Sequence, residues 1–244
     1  MKVAPIVISC QGWFPGIAAQ LHSFAAYSPA TPVFSLQNCG LAESKELLGD
    51  YVELERIYEH HHPGPPQYML SVFRQKFLLY GFCRRLGIES FWNFDWDVLL
   101  FADLTKETIQ ETTPFYAQSY THRLQDVKAY LDFVMDVYRD KDKLHALVEQ
   151  FKDDGEGIGA MRLARILYRH AKLEDNVDGA VFDVGMHMSQ YGCVMDKIGK
   201  KLTWKNGVPW MQAPAGPIRM KTLHCWGPHK KRMAYYLRKG LTTP

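Results

Sequence analysis

Two aspartates separated by one residue are the first feature of the sequence that suggests chemistry. Asp95-Trp96-Asp97 follows an apolar, aromatic stretch at residues 88–94 that is typical of a buried strand. Because successive side chains of an extended chain point to opposite faces, Asp95 and Asp97 are predicted to share a face. Two carboxylates aimed at one point repel each other unless a cation lies between them, and hard divalent ions such as Mn²⁺ or Mg²⁺ prefer such oxygen sites. The motif therefore predicts a metal site, with a solvent-exposed polar strand end as the alternative.

A second group of candidate residues occurs late in the chain, in the run His224-Cys225-Trp226-Gly227-Pro228-His229-Lys230. His224 could offer a neutral imidazole nitrogen to the same metal. Gly227 would let the backbone approach a phosphate closely, and Lys230 would place an ammonium group near the positive N-terminal end of the last helix. The alternative is a buried histidine followed by a solvated basic tail.

The two motifs together resemble the GT-A glycosyltransferases, most closely the family 8 type, in which Asp-x-Asp ends a buried strand and His-x-x-Gly-x-x-Lys comes late in the chain. The positions that match the family's motifs are Asp95, Asp97, His224, Gly227 and Lys230. The resemblance implies that the aspartates and the histidine bind Mn²⁺ (or Mg²⁺) and that the lysine contacts the diphosphate of a sugar nucleotide. It also implies the fold class, an α/β GT-A fold with a Rossmann-like mixed sheet flanked by helices.

Further binding residues follow from the same resemblance. Residues 72–77 look like the family's arginine-bearing helix, which makes Arg74 a candidate contact for the aspartates or the nucleotide. A solvated arginine on the polar helix face is the alternative. Ser9 and Gln11 follow the first predicted strand, where GT-A proteins usually seat the base and ribose of the nucleotide.

A carboxylate that acts as a base toward the acceptor hydroxyl would complete the chemistry. Asp178 and Asp183 are the main candidates, and the loop containing Asp154 and Glu156 is another. Asp183 lies in an apolar, strand-like pattern, where a hydrogen-bonded structural carboxylate is the alternative.

The resemblance implies that a sugar passes from a nucleotide-diphosphate donor, a UDP-sugar, to a glycan, lipid-linked or protein acceptor. A sugar-nucleotide nucleotidyltransferase of related fold is one alternative, but it would normally carry a glycine-rich loop with basic residues after the first strand, and residues 10–16 contain no Arg or Lys. A non-catalytic module that binds nucleotide or glycan on the same fold is the other. Loss of an aspartate or of the late histidine would favour that module, and both are present.

These residues need a scaffold, and the apolar pattern predicts one α/β domain. Strands and helices alternate in the first part of the chain, which is the signature of a parallel sheet. Predicted strands cover residues 3–9, 32–36, 51–57, 88–94, 113–119, 177–184 and 221–225, with a hairpin at 202–210 around Asn206-Gly207. Predicted helices cover residues 17–27, 41–48, 67–86 and 229–239, with more helix between 122 and 173.

Within the single domain at 1–244, three parts are expected. Residues 1–120 form the nucleotide-sugar-binding half, residues 121–175 a helical insertion after the metal-binding strand, and residues 176–244 the acceptor side with the C-terminal metal and diphosphate motif.

Composition sets the expected partners and location. A net charge of +3 is too weak to argue for nucleic acid. The five cysteines are widely spaced without a Cys-x-x-Cys pair, which favours a reducing compartment. No signal-peptide pattern or membrane-spanning run is evident, so the expected location is cytoplasmic. The basic C-terminal helix allows at most a peripheral membrane contact.

Two other features are candidates for the surroundings of a site. His60-His61-His62 lies in a proline-rich loop, and three adjacent side chains cannot easily face one ion, so a lid is the favoured interpretation. Trp226 is the favoured platform for a sugar ring because it neighbours His224.

Overall fold

The computed structural model describes residues 3–8, 16–36, 48–107, 121–168, 179–183, 185–189 and 191–242. Within these residues the chain is a mixed α/β protein. The helices are α1 (Gly16–Tyr27), α2 (Tyr51–Ile57), α3 (Pro66–Arg85), α4 (Leu124–Arg139), α5 (Lys141–Gln150), α6 (Ala160–Leu167) and α7 (Met233–Thr242). The strands are β1 (Ile6–Ile8), β2 (Val33–Ser35), β3 (Ser90–Phe94), β4 (Val98–Leu100), β5 (Thr121–Arg123), β6 (Met195–Asp196), β7 (Gly199–Lys200), β8 (Leu202–Lys205), β9 (Val208–Ala213), β10 (Gly216–Arg219) and β11 (Thr222–His224).

The main sheet has the strand order β2-β1-β3-β5. Strand β1 is parallel to both β2 and β3, and β5 joins the other edge of β3 in the antiparallel sense. All three residues of β1 are buried, which explains its unbroken apolar sequence, because a central parallel strand is covered on both faces. A mixed sheet within an α/β protein confirms the predicted class, and the GT-A fold itself stays a prediction.

The segment at 51–57 is helix α2, so the prediction of a strand there was wrong. Tyr51 and Leu54 are buried whereas Val52 between them is exposed, and burial at positions three apart is the period of a helix. The third parallel strand is instead β3, which comes after helix α3. That helix and its end at Gly87, where φ is +64°, match the prediction.

The predicted strand at 177–184 is also wrong within the residues described there. Its only ladder contact is an isolated parallel bridge between Val181 and Met220. Two residues further on, the Asp183 N–H donates to the Thr222 hydroxyl at 2.9 Å rather than to a backbone carbonyl. The predicted turn at 12–15, helix at 41–48 and strand at 113–119 lie wholly or mostly outside the described residues.

Helices α2 to α6 pack around one apolar core, to which strands β1 and β3 of the main sheet also contribute. Phe73 of α3 meets Tyr138 of α4 with ring centroids 5.9 Å apart, and Tyr58 beyond α2 packs 5.3 Å from the same tyrosine. The helices following β5 therefore complete this core. The glycines at 155 and 157 adopt positive φ and separate α5 from α6.

Among the described residues, the C-terminal part carries three antiparallel units: the pair β6–β7, the sheet β8-β9-β10 and the pair of β11 with β4. Strands β8 and β9 form the predicted hairpin, with Asn206 and Gly207 at φ of +50° and +74° as a tight two-residue turn requires. Strand β11 pairs with β4, far from it in sequence. The chain then turns through a short 3₁₀ segment, Gly227–Arg232, into α7, where the sequence predicted one helix. None of the helices in the described ranges is both long and apolar enough to cross a lipid bilayer.

Candidate metal centre

The two aspartates lie in a turn that joins the main sheet to the β4–β11 pair. Asp95 directly follows β3, and the Val98 N–H closes the turn by donating to the Asp95 carbonyl at 3.2 Å. The buried side chain of Gln20, from α1, also donates to that carbonyl, at 2.5 Å. The motif was predicted on an extended chain; it is in fact a turn, and the turn still directs both carboxylates to one place.

Strand β11 brings the late histidine to the same turn. His224 lies opposite Val98 in the β4–β11 register, and the next backbone N–H, of Cys225, donates to the Asp97 carbonyl at 2.7 Å. The backbone of both ligand segments is therefore fixed by strand pairing, which is a stiffer support than a loop.

The four predicted metal and lysine positions meet in this place. The His224 Nε2 atom lies 3.2 Å from Asp97 Oδ1 and 3.9 Å from Asp95 Oδ2. The ligand atoms of the three residues all lie within 4.8 Å of one another. Lys230 Nζ lies 3.1 Å from Asp97 Oδ2 and 4.2 Å from the centre of the Trp96 ring.

Burial and charge divide the cluster into an inner and an outer part. Asp97 and His224 are each only 3% exposed, whereas the Asp95 side chain is 48% exposed. Burial by itself raises the pKa of Asp97, but the hydrogen bond and charge of His224 and the charge of Lys230 outweigh it and hold the pKa below its ordinary value. For His224 burial lowers the pKa, and the contact with Asp97 and the charge of Asp95 more than compensate, so the pKa is raised.

The donor set fits a hard divalent cation. Two carboxylates and one imidazole suit Mn²⁺ or Mg²⁺, and three protein ligands leave coordination positions open for ligand oxygens. A buried carboxylate such as Asp97 needs a positive partner. His224 and Lys230 provide that partner in this arrangement, and a cation held by Asp95, Asp97 and His224 would provide it more directly.

A cavity of about 550 Å³ opens on the cluster. One end of the cavity is lined by Asp95, Asp97, His224 and Lys230, together with Trp226. Trp226 is about half exposed to solvent. The other walls include Tyr68, Lys76, Tyr130, Glu156, Arg162 and Met188. The predicted position of Trp226 beside the site is therefore the observed one.

Lys76 of helix α3 is a cavity residue that sequence reasoning missed. It is 8% exposed and lines the cavity near Asp95. Burial lowers its pKa, and the charge of Asp95 offsets only part of this effect. The available signal was its position: Met69, Val72 and Lys76 share one helix face, so a lysine occupies a place that the pattern gives to apolar residues.

Arg74, which was predicted from the same helix, lies elsewhere. It does not line the cavity, and its charge acts on Tyr51 of α2, where it lowers a pKa that burial and Glu55 raise. Two residues along a helix turn a side chain by more than half a circle, which explains why Lys76 and not Arg74 reaches the site.

Gly227 has a structural reason to be glycine. Its φ is +63°, and a Cβ atom there would come within 2.9 Å of the His187 Nε2 atom. The cavity is lined by its neighbours Trp226 and Lys230 rather than by Gly227. The glycine therefore permits the turn that places Lys230, instead of approaching a phosphate itself.

The structure places Asp183 behind the site rather than in it. Its side chain has no exposed surface and is paired with the equally buried Lys200. Asp183 Oδ2 accepts the backbone N–H of His224 at 3.1 Å. A carboxylate that is enclosed and neutralised in this way supports β11 and is not placed to take a proton from an acceptor, so its prediction as the base is not supported.

The remaining predicted residues divide into two groups. Asp178, Ser9 and Gln11 lie outside the described residues. Glu156 lies in the cavity wall, where its carboxylate pairs with Arg165 and, at 2.8 Å, with Arg162.

Comparison with known proteins does not assign the chain to a family. No protein-family model matches it, and no curated protein matches it. Function therefore has to be inferred from the chemistry of the site.

Proposed function

We propose that this protein is a metal-dependent glycosyltransferase that moves a sugar from a nucleotide-diphosphate donor, a UDP-sugar, to a glycan, lipid-linked or protein acceptor. The observation that carries the proposal is the convergence of Asp95, Asp97, His224 and Lys230 at one end of a single cavity. The first three offer ligands to a hard cation, and the fourth adds an ammonium group beside them. Both can stabilise the negative charge that develops on the departing diphosphate of a sugar nucleotide.

Each residue of the cluster has a distinct task in this proposal. Asp95, Asp97 and His224 would hold Mn²⁺ or Mg²⁺, and the bound ion would supply positive charge to the phosphate oxygens of the donor. Lys230 is 34% exposed and reaches the cluster from the start of the C-terminal segment, so its ammonium group can move from Asp97 to a phosphate oxygen. The Trp96 ring, whose centre lies 4.2 Å from Lys230 Nζ, adds a cation–π contact to this ammonium group.

The cavity has the size and lining that such a donor needs. Its volume of about 550 Å³ is within the range of small-molecule sites. Trp226 and Tyr68 are more than half exposed at 53% and 57%, and both line the cavity. Exposed aromatic faces of this kind stack on sugar rings. Lys76 adds a second amine to the cavity wall next to the more exposed aspartate.

The experiment is calorimetric binding of UDP, with GDP and CMP for comparison, with and without Mn²⁺. We expect UDP to bind in the presence of Mn²⁺ and to lose that binding in Asp97→Asn, which keeps the shape of the side chain and removes its charge. Asp132→Asn is the matched control, because it makes the same chemical change at an exposed position of α4, where Asp132 pairs with Lys128.

The activity itself is tested with a panel of UDP-sugars, from which UDP release is measured with and without acceptor glycans. A nucleotidyltransferase would instead release pyrophosphate from UTP and a sugar 1-phosphate, and a binding module would bind nucleotide without turnover. If no nucleotide binds with or without Mn²⁺, the proposed function is wrong.

A further inference from the structure

A second group of metal-binding side chains lies away from the cavity end described above. It consists of Glu59 and His61, in the loop after α2, and His145 on α5, and we refer to it as the loop cluster. Glu59 and His61 are two residues apart on an extended segment, so their side chains point to the same face. Both are half-buried, and His145 approaches them from the neighbouring helix.

The two imidazoles converge on one carboxylate oxygen. His61 Nε2 lies 2.5 Å and His145 Nε2 lies 3.0 Å from Glu59 Oε1, and the two rings approach edge-on with centroids 6.3 Å apart. Each histidine therefore presents the same nitrogen, Nε2, to a single point. Glu59 is the common partner of both, so the three ligand atoms lie within 4.8 Å of one another.

The adjacent histidines do not compete for this point. His60 Nδ1 pairs with the Tyr58 hydroxyl at 2.8 Å, and His62 Nδ1 accepts the Gly64 N–H at 2.8 Å. The sequence run of three histidines is thus resolved into three directions, and His61 is the member that joins the loop cluster. The third ligand residue is His145, which is distant in sequence and cannot be predicted from the run of three histidines.

The second carboxylate oxygen of Glu59, Oε2, is bound by a lysine outside the loop cluster. Lys141 Nζ lies 3.2 Å from Glu59 Oε2 and donates to the Ile57 carbonyl at 3.0 Å. This contact orients the carboxylate and leaves Oε1 directed at the imidazoles. Outer contacts of this kind fix the direction of ligands in protein metal sites.

We propose that the loop cluster is a second metal site, which binds a divalent ion of the zinc class through His61 Nε2, His145 Nε2 and Glu59 Oε1. Two imidazoles and a carboxylate form a nitrogen-rich set that suits Zn²⁺ better than Mn²⁺ or Mg²⁺. Ligand atoms around tetrahedral zinc lie about 3.4 Å apart, so the two contacts of Glu59 Oε1 with the imidazoles need to lengthen by less than about 1 Å to admit the ion.

The position of the loop cluster gives the ion a structural task. The His61 carbonyl accepts the Ile158 N–H at 2.6 Å, and the neighbours of these two residues, His62 and Gly157, line the cavity. An ion bound to His61 and His145 would tie the loop to α5 and thereby fix this wall of the cavity. The site does not depend on the proposed transferase activity.

The experiment is equilibrium dialysis against Zn²⁺ with metal analysis, carried out in the Asp97→Asn background so that the other cluster does not contribute. We expect D97N to retain one Zn²⁺ per chain. Addition of His145→Ala should weaken that binding by at least about 100-fold, because removal of even an outer contact costs about 10- to 100-fold. His22→Ala is the matched control, since His22 is exposed on α1, and should leave Zn²⁺ binding unchanged.

A second measurement is the thermal unfolding midpoint. Zn²⁺ should raise the midpoint of D97N and of D97N with H22A, and should not raise that of D97N with H145A, because a ligand stabilises only the state that binds it. Equal Zn²⁺ binding with and without His145, or no Zn²⁺ bound by D97N at all, overturns the proposal.

Discussion

The cluster at Asp95, Asp97 and His224 and the loop cluster have the same number of ligand residues, yet they differ in depth and in chemistry. The first is oxygen-rich and its two inner members are 3% exposed. The loop cluster is nitrogen-rich, and its side chains are between 24% and 60% exposed. Strand pairing holds the first, whereas a loop and a helix hold the second. We infer that the difference in ligand atoms selects the ion and that the difference in burial decides how much the fold depends on the cluster.

The largest expected effect tests that dependence on burial. Lys200→Met leaves the fully buried carboxylate of Asp183 without its ammonium partner, and we expect a loss of about 3–5 kcal/mol in the free energy of unfolding. Urea denaturation measures it. The exposed Lys197→Met is the control and should stay within about 0.5 kcal/mol of the wild type. If the two variants are equally stable, the support behind His224 is not what we describe.

The second effect concerns which ion each cluster prefers. His224→Ala should weaken Mn²⁺ binding by about 100-fold and leave Zn²⁺ binding at the loop cluster intact, because it removes one ligand from one site only. His145→Ala should do the reverse. Titration of both ions into both variants gives four values, and a variant that loses both ions equally would show that the clusters are not separate sites.

A smaller effect on UDP binding is expected from Lys230, the lysine beside Asp97. Lys230→Met should weaken Mn²⁺-dependent UDP binding by about tenfold, the usual order for one hydrogen bond to a charged group. Lys231→Met is the control, because the neighbouring lysine is exposed. Calorimetry measures both. Equal losses in the two variants would point to general charge rather than to a contact made by Lys230.

The smallest effect comes from an exposed ion pair on the side of the loop cluster. The hydrogen bond from Arg139 holds the pKa of Glu53 below its ordinary value of 4.5, so the pair stabilises the fold above that pH and loses its effect as the pH falls through the lowered value. Glu53→Gln should therefore lower the thermal midpoint slightly at pH 7. The difference should vanish in strong acid and shrink in 1 M salt. A difference that persists under both conditions would have another cause.

The sequence predicted the elements whose pattern is set locally. Helix α3 and its end at Gly87, the hairpin at Asn206-Gly207 and the first two strands follow from apolar spacing and turn chemistry. The wrong prediction of a strand at residues 51–57 has a physical reason. Residues 51–57 contain too few apolar positions to separate a strand from a helix, and only packing against α3 and α4 decides between them.

The candidate site was predicted in part for a similar reason. Asp95, Asp97, His224 and Lys230 were named from two motifs, and the structure brings them together. Lys76 was not named although it stands on an otherwise apolar helix face. His145 was not named because it occupies an ordinary position in a helix, and its place in the loop cluster depends on residues far away in sequence. Burial of Asp183 was left open by its apolar surroundings, and the partner that neutralises it, Lys200, is visible only in three dimensions.

The pairing of β4 with β11 has a consequence for the order in which the molecule matures. The aspartates emerge early during synthesis, whereas the strand that carries His224 emerges close to the last described residues. A nascent chain can therefore complete its parallel sheet while the two carboxylates still lack their imidazole. The loop that β4 and β11 close is long, and such closures form late in folding. Tight Mn²⁺ binding at the proposed site would thus report that β11 has paired with β4. A partly folded chain that lacks this pairing would not bind the ion tightly.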